Sequence, residues 1–280
     1  MAQGGVEGGR PLTGSNIEVE RREQTGLIWL NRPAKRNALS SDMWADLPVA
    51  TAELSADPEV RAIVVAGRGP SFTVGIDLEM LASLAPKGDS EAARRMLIYQ
   101  RIKELQGSFT ALADSPKPVI AAIHGYCLGA GIDLITACDI RVASTDAIFG
   151  VRETAMGLVA DVGTLQRLPA IVGPGHLAEL VYTGRDIDAA RARQIGLVND
   201  VYEDAEATLN AALALARAIA SNSPLVVQGV KTVLKASDRK TVAEGLEYVA
   251  VWNAAFLLSD DLTEALSAFT DKRKPDFKGQ

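Results

Sequence analysis

KPVIAAIHGYCLGAGIDLITACDIR, residues 117–141, is the stretch whose reading decides the fold. Val119 to Ile123 is a short apolar run with no polar alternation, which reads as a strand buried on both faces. His124-Gly125 and the glycines Gly129 and Gly131 then lead into an apolar helix from about Gly129 to Ala137. A strand that feeds a glycine-lined helix start presents free backbone N–H groups and the positive end of the helix dipole in one direction, an arrangement suited to holding negative charge. Asp133 falls near the start of this helix. Its carboxylate reads either as a helix-start charge or as an acid aimed into a pocket.

Outward from this unit the chain alternates strands and helices. Ile17–Arg22 and Gly26–Asn31 read as a strand pair with a turn at Gln24-Thr25-Gly26, and residues 61–67 (RAIVVAG) as a second buried strand. Helices are expected from Ser40 or Ser41 to Ala56 and from Asp89 to Asp114, and strands at Asp139–Ser144 and Ile148–Gly150. This alternation predicts an α/β fold with parallel pairing. The pattern loosens from Val151 to Ile171, where glycines and the acids Glu153 and Asp161 interrupt apolar residues. Helices are expected thereafter at Gly175–Tyr182, Asp188–Gln194, Asp204–Ser221, Leu225–Ala236, Thr241–Leu258 and Leu262–Asp271. The organisation is a Gly-rich arm at residues 1–15, a core at 16–203, and a helical region at 204–280.

Hydrophobic residues make up 48% of the 280, enough for a sizeable core. The formal net charge of −6 argues against nucleic acid or an anionic membrane as a partner. Cys127 and Cys138 read as core thiols rather than a disulfide or metal site, and two histidines without CxxC or HExxH leave no zinc motif. With no apolar signal core at the start and no peroxisomal tripeptide at Lys278-Gly279-Gln280, a cytoplasmic location is expected.

Gly125, Gly129 and Gly131 after a strand, with Tyr99 and Lys103, superficially match a dinucleotide-binding dehydrogenase. The order of the two signatures is inverted, and no ribose-reading residue follows at the right distance. IAAIHGYCLGAGIDLITACDIRVAS instead resembles the crotonase (enoyl-CoA hydratase/isomerase) superfamily, together with the turn at Phe72–Leu78 (FTVGIDL) and the loop at Asn31–Ser40 (NRPAKRNALS). The resemblance runs from about Ile17 to Phe277. Ser71–Leu78, Asp133, Glu153 and Ala160–Pro169 (ADVGTLQRLP) are most similar to the dienoyl-CoA isomerases of that superfamily.

The resemblance implies a spiral of ββα units with C-terminal helices that build a trimer or a dimer of trimers. It implies an acyl-CoA thioester substrate whose carbonyl is gripped by the backbone N–H groups of Ile76 and Ala130, where most relatives have glycine at the latter. It further implies Asp133, Glu153 and Asp161 as proton-transfer acids, and no cofactor beyond the CoA carried by the substrate. Arg32, Lys35 and Arg36 are candidates for the CoA phosphates, in a loop that otherwise reads as merely solvated. Ala38, Thr73, Val74, Gly75, Asp77, Leu78 and Gly129 are the expected substrate-contacting positions. Moving two double bonds along a dienoyl thioester requires an acid and a base at opposite ends of the conjugated chain, which carboxylates in an apolar pocket can supply. Hydratases of this type carry two glutamates, at the positions of Asp133 and Glu153, and a small residue at that of Asp161. Asp161 itself is either the third acid or a cap for a helix over Val162–Leu168. Hydratase activity and a non-catalytic acyl-CoA-binding oligomer are the alternative readings. Tyr126, His124 and Met156 are read as packing or pocket wall.

Overall fold

The computed structural model describes residues 10–11, 16–83 and 90–280. The expected N-terminal arm lies outside the described residues apart from Arg10–Pro11. In chain order the strands are β1 (Arg10–Pro11), β2 (Ile17–Arg22), β3 (Thr25–Leu30), β4 (Ala62–Gly67), β5 (Val119–Ile123), β6 (Tyr126–Leu128), β7 (Ile140–Ser144), β8 (Ile148–Gly150), β9 (Asp186–Asp188) and β10 (Asp200–Tyr202). The α-helices are α1 (Ser41–Ala56), α2 (Leu78–Ser83), α3 (Glu91–Asp114), α4 (Ala130–Thr136), α5 (Thr164–Thr183), α6 (Ala189–Gln194), α7 (Ala205–Ala220), α8 (Pro224–Ser237), α9 (Val242–Phe256) and α10 (Asp260–Asp271). Among these residues no helix is long and apolar enough to cross a membrane.

The main sheet has the order β1-β2-β3-β4-β5-β7-β10, antiparallel from β1 to β3 and parallel from β3 onward. The expected parallel pairing follows from composition: strands covered on both faces must be apolar at every position. Ile28, Leu30, Ile63, Val65, Ala121 and Ile123 face one cluster with Met43 and Leu47 of α1 and Phe109 and Leu112 of α3. The alternate residues Leu27, Trp29, Val64, Ile120 and Val142 face Ala212, Leu213 and Ala216 of α7. The helical region expected from residue 204 therefore begins with a helix that seals the sheet. α8 and α9 pack on each other, with the Trp252 ring lying where a Cβ on Gly229 would stand, 2.2 Å away. No residue of α9 is fully buried, and Leu246 is 61% and Phe256 45% exposed.

Local expectations differ from the structure in three places. The β2–β3 turn is Glu23-Gln24 rather than Gln24-Thr25-Gly26: Arg22 pairs with Thr25, and Glu23 takes the left-handed conformation (φ 52°) that a tight two-residue turn demands. The irregular stretch Val151–Ile171 contains a helix from Thr164, merged with the expected Gly175–Tyr182 helix into α5 across a break at Gly173. Pro169 and Pro174 obscure that helix in the sequence. The second sheet, β6-β8-β9, contains the expected strand at Ile148–Gly150 as β8, but its partners β6 and β9 are three-residue strands too short to show a period.

The loop before α1 and the turn before α2 are stitched together by Asn37. Its side chain is fully buried: Nδ2 donates to the carbonyls of Arg68 (2.9 Å) and Ser71 (2.8 Å), and Oδ1 accepts from the Arg32 amide (2.7 Å). Its carbonyl accepts from Thr73 Oγ1 at 2.6 Å, and its φ of 55° is tolerated by asparagine better than by most residues. Asn37→Leu leaves two carbonyls and an amide unsatisfied and strains the backbone. We expect a loss of at least about 2 kcal/mol in urea unfolding; a loss under about 0.5 kcal/mol would show that the loop holds without it.

Candidate active site

Two turns meet at the C-terminal ends of β4 and β5. In the first, Thr73 is fixed on both sides: its amide donates to Tyr126 O (2.9 Å), its carbonyl accepts from Leu128 N (3.1 Å), and its hydroxyl accepts from Gly75 N (3.1 Å). Leu39 N donates to Gly75 O (2.8 Å) and Asp77 N to Leu39 O (3.0 Å), so the amide between them, that of Ile76, turns away from this pairing. The second turn is Gly129 (φ 53°), which caps α4 and leaves Ala130 as its first residue. Gly75 permits the contact. At φ 89°, a Cβ there would come within 2.7 Å of Leu128 O and 3.2 Å of the Ala130 nitrogen. Among the described residues neither the Ile76 nor the Ala130 amide donates to a protein acceptor. Ala130 has a negative φ, so its methyl brings no backbone strain.

Ile76 and Ala130 line one cavity of about 860 Å³, walled by α2, α3 and the segment after β8. Ile98, Ile102 and Leu105 of α3 supply an apolar side. Glu153 and Asp161 line the same cavity. The Glu153 carboxylate lies beside the α4 start, Oε1 being 3.5 Å from where a Gly129 Cβ would stand. Asp133, fully buried, sits behind the wall; its Oδ1 accepts from the Thr164 amide at 2.5 Å. Asp133 Oδ2 and Glu153 Oε2 are both buried without a hydrogen-bond partner. Burial pushes Glu153 up to about 7, with the Asp133 and Asp161 charges adding to it. Burial likewise pushes Asp133 up to about 6, opposed by its Thr164 hydrogen bonds and by Arg167. Asp161 is also raised by burial. The capping alternative for Asp161 does not hold: α5 starts at Thr164, and its cap position is Gly163.

The basic loop divides into three fates. Arg32 is committed to the fold, its guanidinium bonded to the Asp77 carboxylate and to Ala38 O (3.0 Å). That hydrogen bond holds the Asp77 carboxyl below the usual range. Arg32 and Asp77 thus brace the first turn, and Asp77 also lines the cavity. Lys35 stands exposed on the cavity rim, 3.4 Å from Glu79, and Arg36 lies 5.6 Å above the Tyr126 ring. Ala38, Val74, Leu78 and Gly129 line the cavity, while Thr73 and Gly75 support it from behind. Met156 is wall, and His124 packs with Nε2 on Gly69 O (2.8 Å). Among the described residues no group of three or more His, Cys, Asp or Glu is placed to hold a metal ion. The sequence reading passed over Asn37, Gln106 and Arg167. A small polar residue directly after two cations, Lys35 and Arg36, signals a turn at Asn37, but its burial has no local signature.

The fold and site find their counterparts among known proteins. The sequence pattern of the enoyl-CoA hydratase/isomerase family matches residues 20–280. The chain belongs to that family. It is 45% identical over 267 residues to the peroxisomal Delta(3,5)-Delta(2,4)-dienoyl-CoA isomerase of Arabidopsis thaliana, covering 93% of this chain and 96% of that one. Identity to the mitochondrial Delta(3,5)-Delta(2,4)-dienoyl-CoA isomerase of Homo sapiens is 46% over 250 residues, 88% of this chain and 76% of that one. In three dimensions the enoyl-CoA hydratase of Bacillus anthracis superposes with a TM-score of 0.86 at 31% identity, over 95% of this chain and all of that one. The expectation of a cytoplasmic location is contradicted by these relatives, which are named as peroxisomal and mitochondrial proteins.

The raised carboxyls tie stability to pH. An unfolded Glu titrates near 4.3 and an unfolded Asp near 3.9, whereas the folded protein keeps protons on Glu153 to about 7 and on Asp133 to about 6. The folded state binds more protons in between, so this contribution to stability is full below about pH 4 and is lost as pH rises to 7. Glu153→Gln removes the penalty of ionising Glu153. In urea unfolding the variant is expected to exceed the parent by on the order of 2 kcal/mol at pH 8 and to approach it at about pH 4. Equal stability at both pH values would place Glu153 in water.

Proposed function

We propose that this protein shifts 3,5-dienoyl-CoA to 2,4-dienoyl-CoA by moving a proton from C2 to C6 of the acyl chain, as part of unsaturated fatty-acid breakdown. The observation that carries the reading is the third carboxylate. Asp161 shares the cavity wall with Glu153, while Asp133 backs Glu153 from the interior. The fold is common to hydratases and isomerases, but a hydratase needs only two acids to align a water. The names of the relatives at 45–46% identity support the same choice.

In this mechanism the thioester oxygen rests on the Ile76 and Ala130 amides. The Asp161 carboxylate takes the C2 proton, and the electron pair spreads through a dienolate whose charge settles on that oxygen. Each donor contributes on the order of 3 kcal/mol there, because the amides are already oriented and face an apolar cavity. Neutral Glu153 delivers its proton at C6, which closes the 2,4-diene and regenerates the thioester carbonyl. A carboxyl at about 7 holds a proton at neutral pH and can still release it. The Asp133 charge behind Glu153 raises its proton affinity and so keeps the pair from ionising together. Proton exchange with water returns Asp161 and Glu153 to their starting states. The chemistry draws on no cofactor beyond the CoA of the substrate.

Lys35 and Arg36 are the cations for the CoA phosphates, since Arg32 is held by Asp77. Replacing both by Ala should weaken CoA binding in calorimetry at low salt, and much less so at high salt. Affinity equal to the parent would make the loop merely solvated. A trimer or a dimer of trimers is supported by the apolar side chains that α8 and α9 leave uncovered, among them Leu246 and Phe256. Sedimentation at monomer mass would argue against it.

Asp161→Asn keeps the shape and removes one proton carrier. Dienoyl isomerisation, followed by ultraviolet absorbance, should fall by ~10²–10⁴-fold. Thioester binding should persist, because its donors are backbone groups. Asp133→Asn should cost less. Full isomerisation in Asp161→Asn with none in Asp133→Asn would replace the three-acid assignment by a two-carboxylate, hydratase-type mechanism at Asp133 and Glu153.

A further inference from the structure

The loop that carries Asp161 is held from three directions. Gln106 Nε2 on α3 donates to the Asp161 carbonyl at 2.7 Å. The Thr164 amide donates to Asp133 Oδ1 on α4. Between these two contacts lies Arg167, one turn into α5. Its Nη1 donates to Val162 O (3.3 Å) and its Nη2 to Thr110 Oγ1 on α3 (3.0 Å). The guanidinium occupies the space beside Gly163: a Cβ there would fall 1.9 Å from Nη1 and 2.9 Å from Cζ. With φ at 136°, Gly163 is unsuited to any side chain in any case. Gln106 and Thr110 lie four residues apart on α3, hence on one face, next to Ile102 and Leu105 of the cavity wall.

We propose that Arg167 is a positioning residue for the proton-transfer acids, its guanidinium laid over Gly163 and clamped between Val162 and Thr110 so that Asp161 and the Thr164 amide keep their places toward the cavity and Asp133. The proposal rests on the isomerase reading above. Glycine at 163 is the complement of this clamp, since any other residue would expel the guanidinium. The titratable groups around Asp133 are Glu153 and Asp161, with the buried Cys127 thiol, raised chiefly by burial. Arg167 is the cation whose charge opposes the burial of Asp133. The clamp therefore places a positive charge near Asp133 as well as fixing a loop.

Three variants and two readouts test this. Arg167→Gln should lower kcat for dienoyl isomerisation at least tenfold with KM within twofold of the parent, because the thioester donors are untouched. In ¹³C NMR of the side-chain carboxyls, the titration that Asp133→Asn abolishes should move to higher pH in Arg167→Gln. Arg167→Lys, which keeps the charge, should leave it in place. Thr110→Val removes only the far anchor, and should lower kcat at least threefold with the Asp133 titration unmoved. Folded Arg167→Gln with parental kcat, or with an unmoved Asp133 titration, overturns the proposal. If Arg167→Gln fails to fold, Thr110→Val at parental kcat overturns it. A parent protein that does not isomerise dienoyl-CoA would instead refute the isomerase reading, while the carboxyl titration, which needs no substrate, still reports on Arg167.

Discussion

The close approach of two turns governs this structure. The chain around Gly75 passes so near the start of α4 that a single added carbon would meet both Leu128 O and the Ala130 nitrogen. Everything that holds the first turn in place serves that contact: Thr73 hydrogen-bonded on both sides, the Arg32–Asp77 brace and the buried Asn37. The parallel strands β4 and β5 bring the two turns to the same edge, because both end there and pair in register from Ile63 with Val119 to Ala66 with Ala122. Ile76 and Ala130, whose amides have no protein acceptor among the described residues, then line one cavity, which supports the proposed thioester site without a charged side chain.

The acids obey the opposite constraint. A carboxylate removed from water without a partner is costly, and the protein responds by raising its proton affinity instead of pairing it. Asp133 and Glu153 each keep one oxygen unpartnered and buried. Neither is neutralised by a contacting cation, so the pair retains a proton near neutrality. Asp77, by contrast, carries Arg32 and stays ionised. Similar side chains within one small region thus take different protonation states according to what touches them, a division that suits the first group to proton transfer and the second to bracing.

Much of this was legible in the sequence. Apolar runs without alternation fixed the identity of β4 and β5 as strands covered on both faces, and the glycines at 129 and 131 marked a helix start with free backbone N–H groups. The motifs around Phe72–Leu78 and Ala160–Pro169 were long enough to identify the family. Short-range chemistry explains this: strand burial, turn conformation and helix capping depend on residues a few positions apart, and serine caps such as Ser40 announce themselves locally.

What the tertiary structure alone decided is which like residues receive which surroundings. Nothing local separates Arg32, sealed against Asp77 from forty-five positions away, from Lys35 on the rim. Nothing local shows that Asp133 lies behind the cavity while Asp161 lines it, or that Gln106 and Arg167 hold the Asp161 loop across more than fifty residues. Proton affinity follows the same rule, since it is set by desolvation and by charges brought together from separate elements. The sequence by itself determined the buried strands β4 and β5, most of the helices and the family; burial and long-range pairing, which only the folded chain creates, decided the roles.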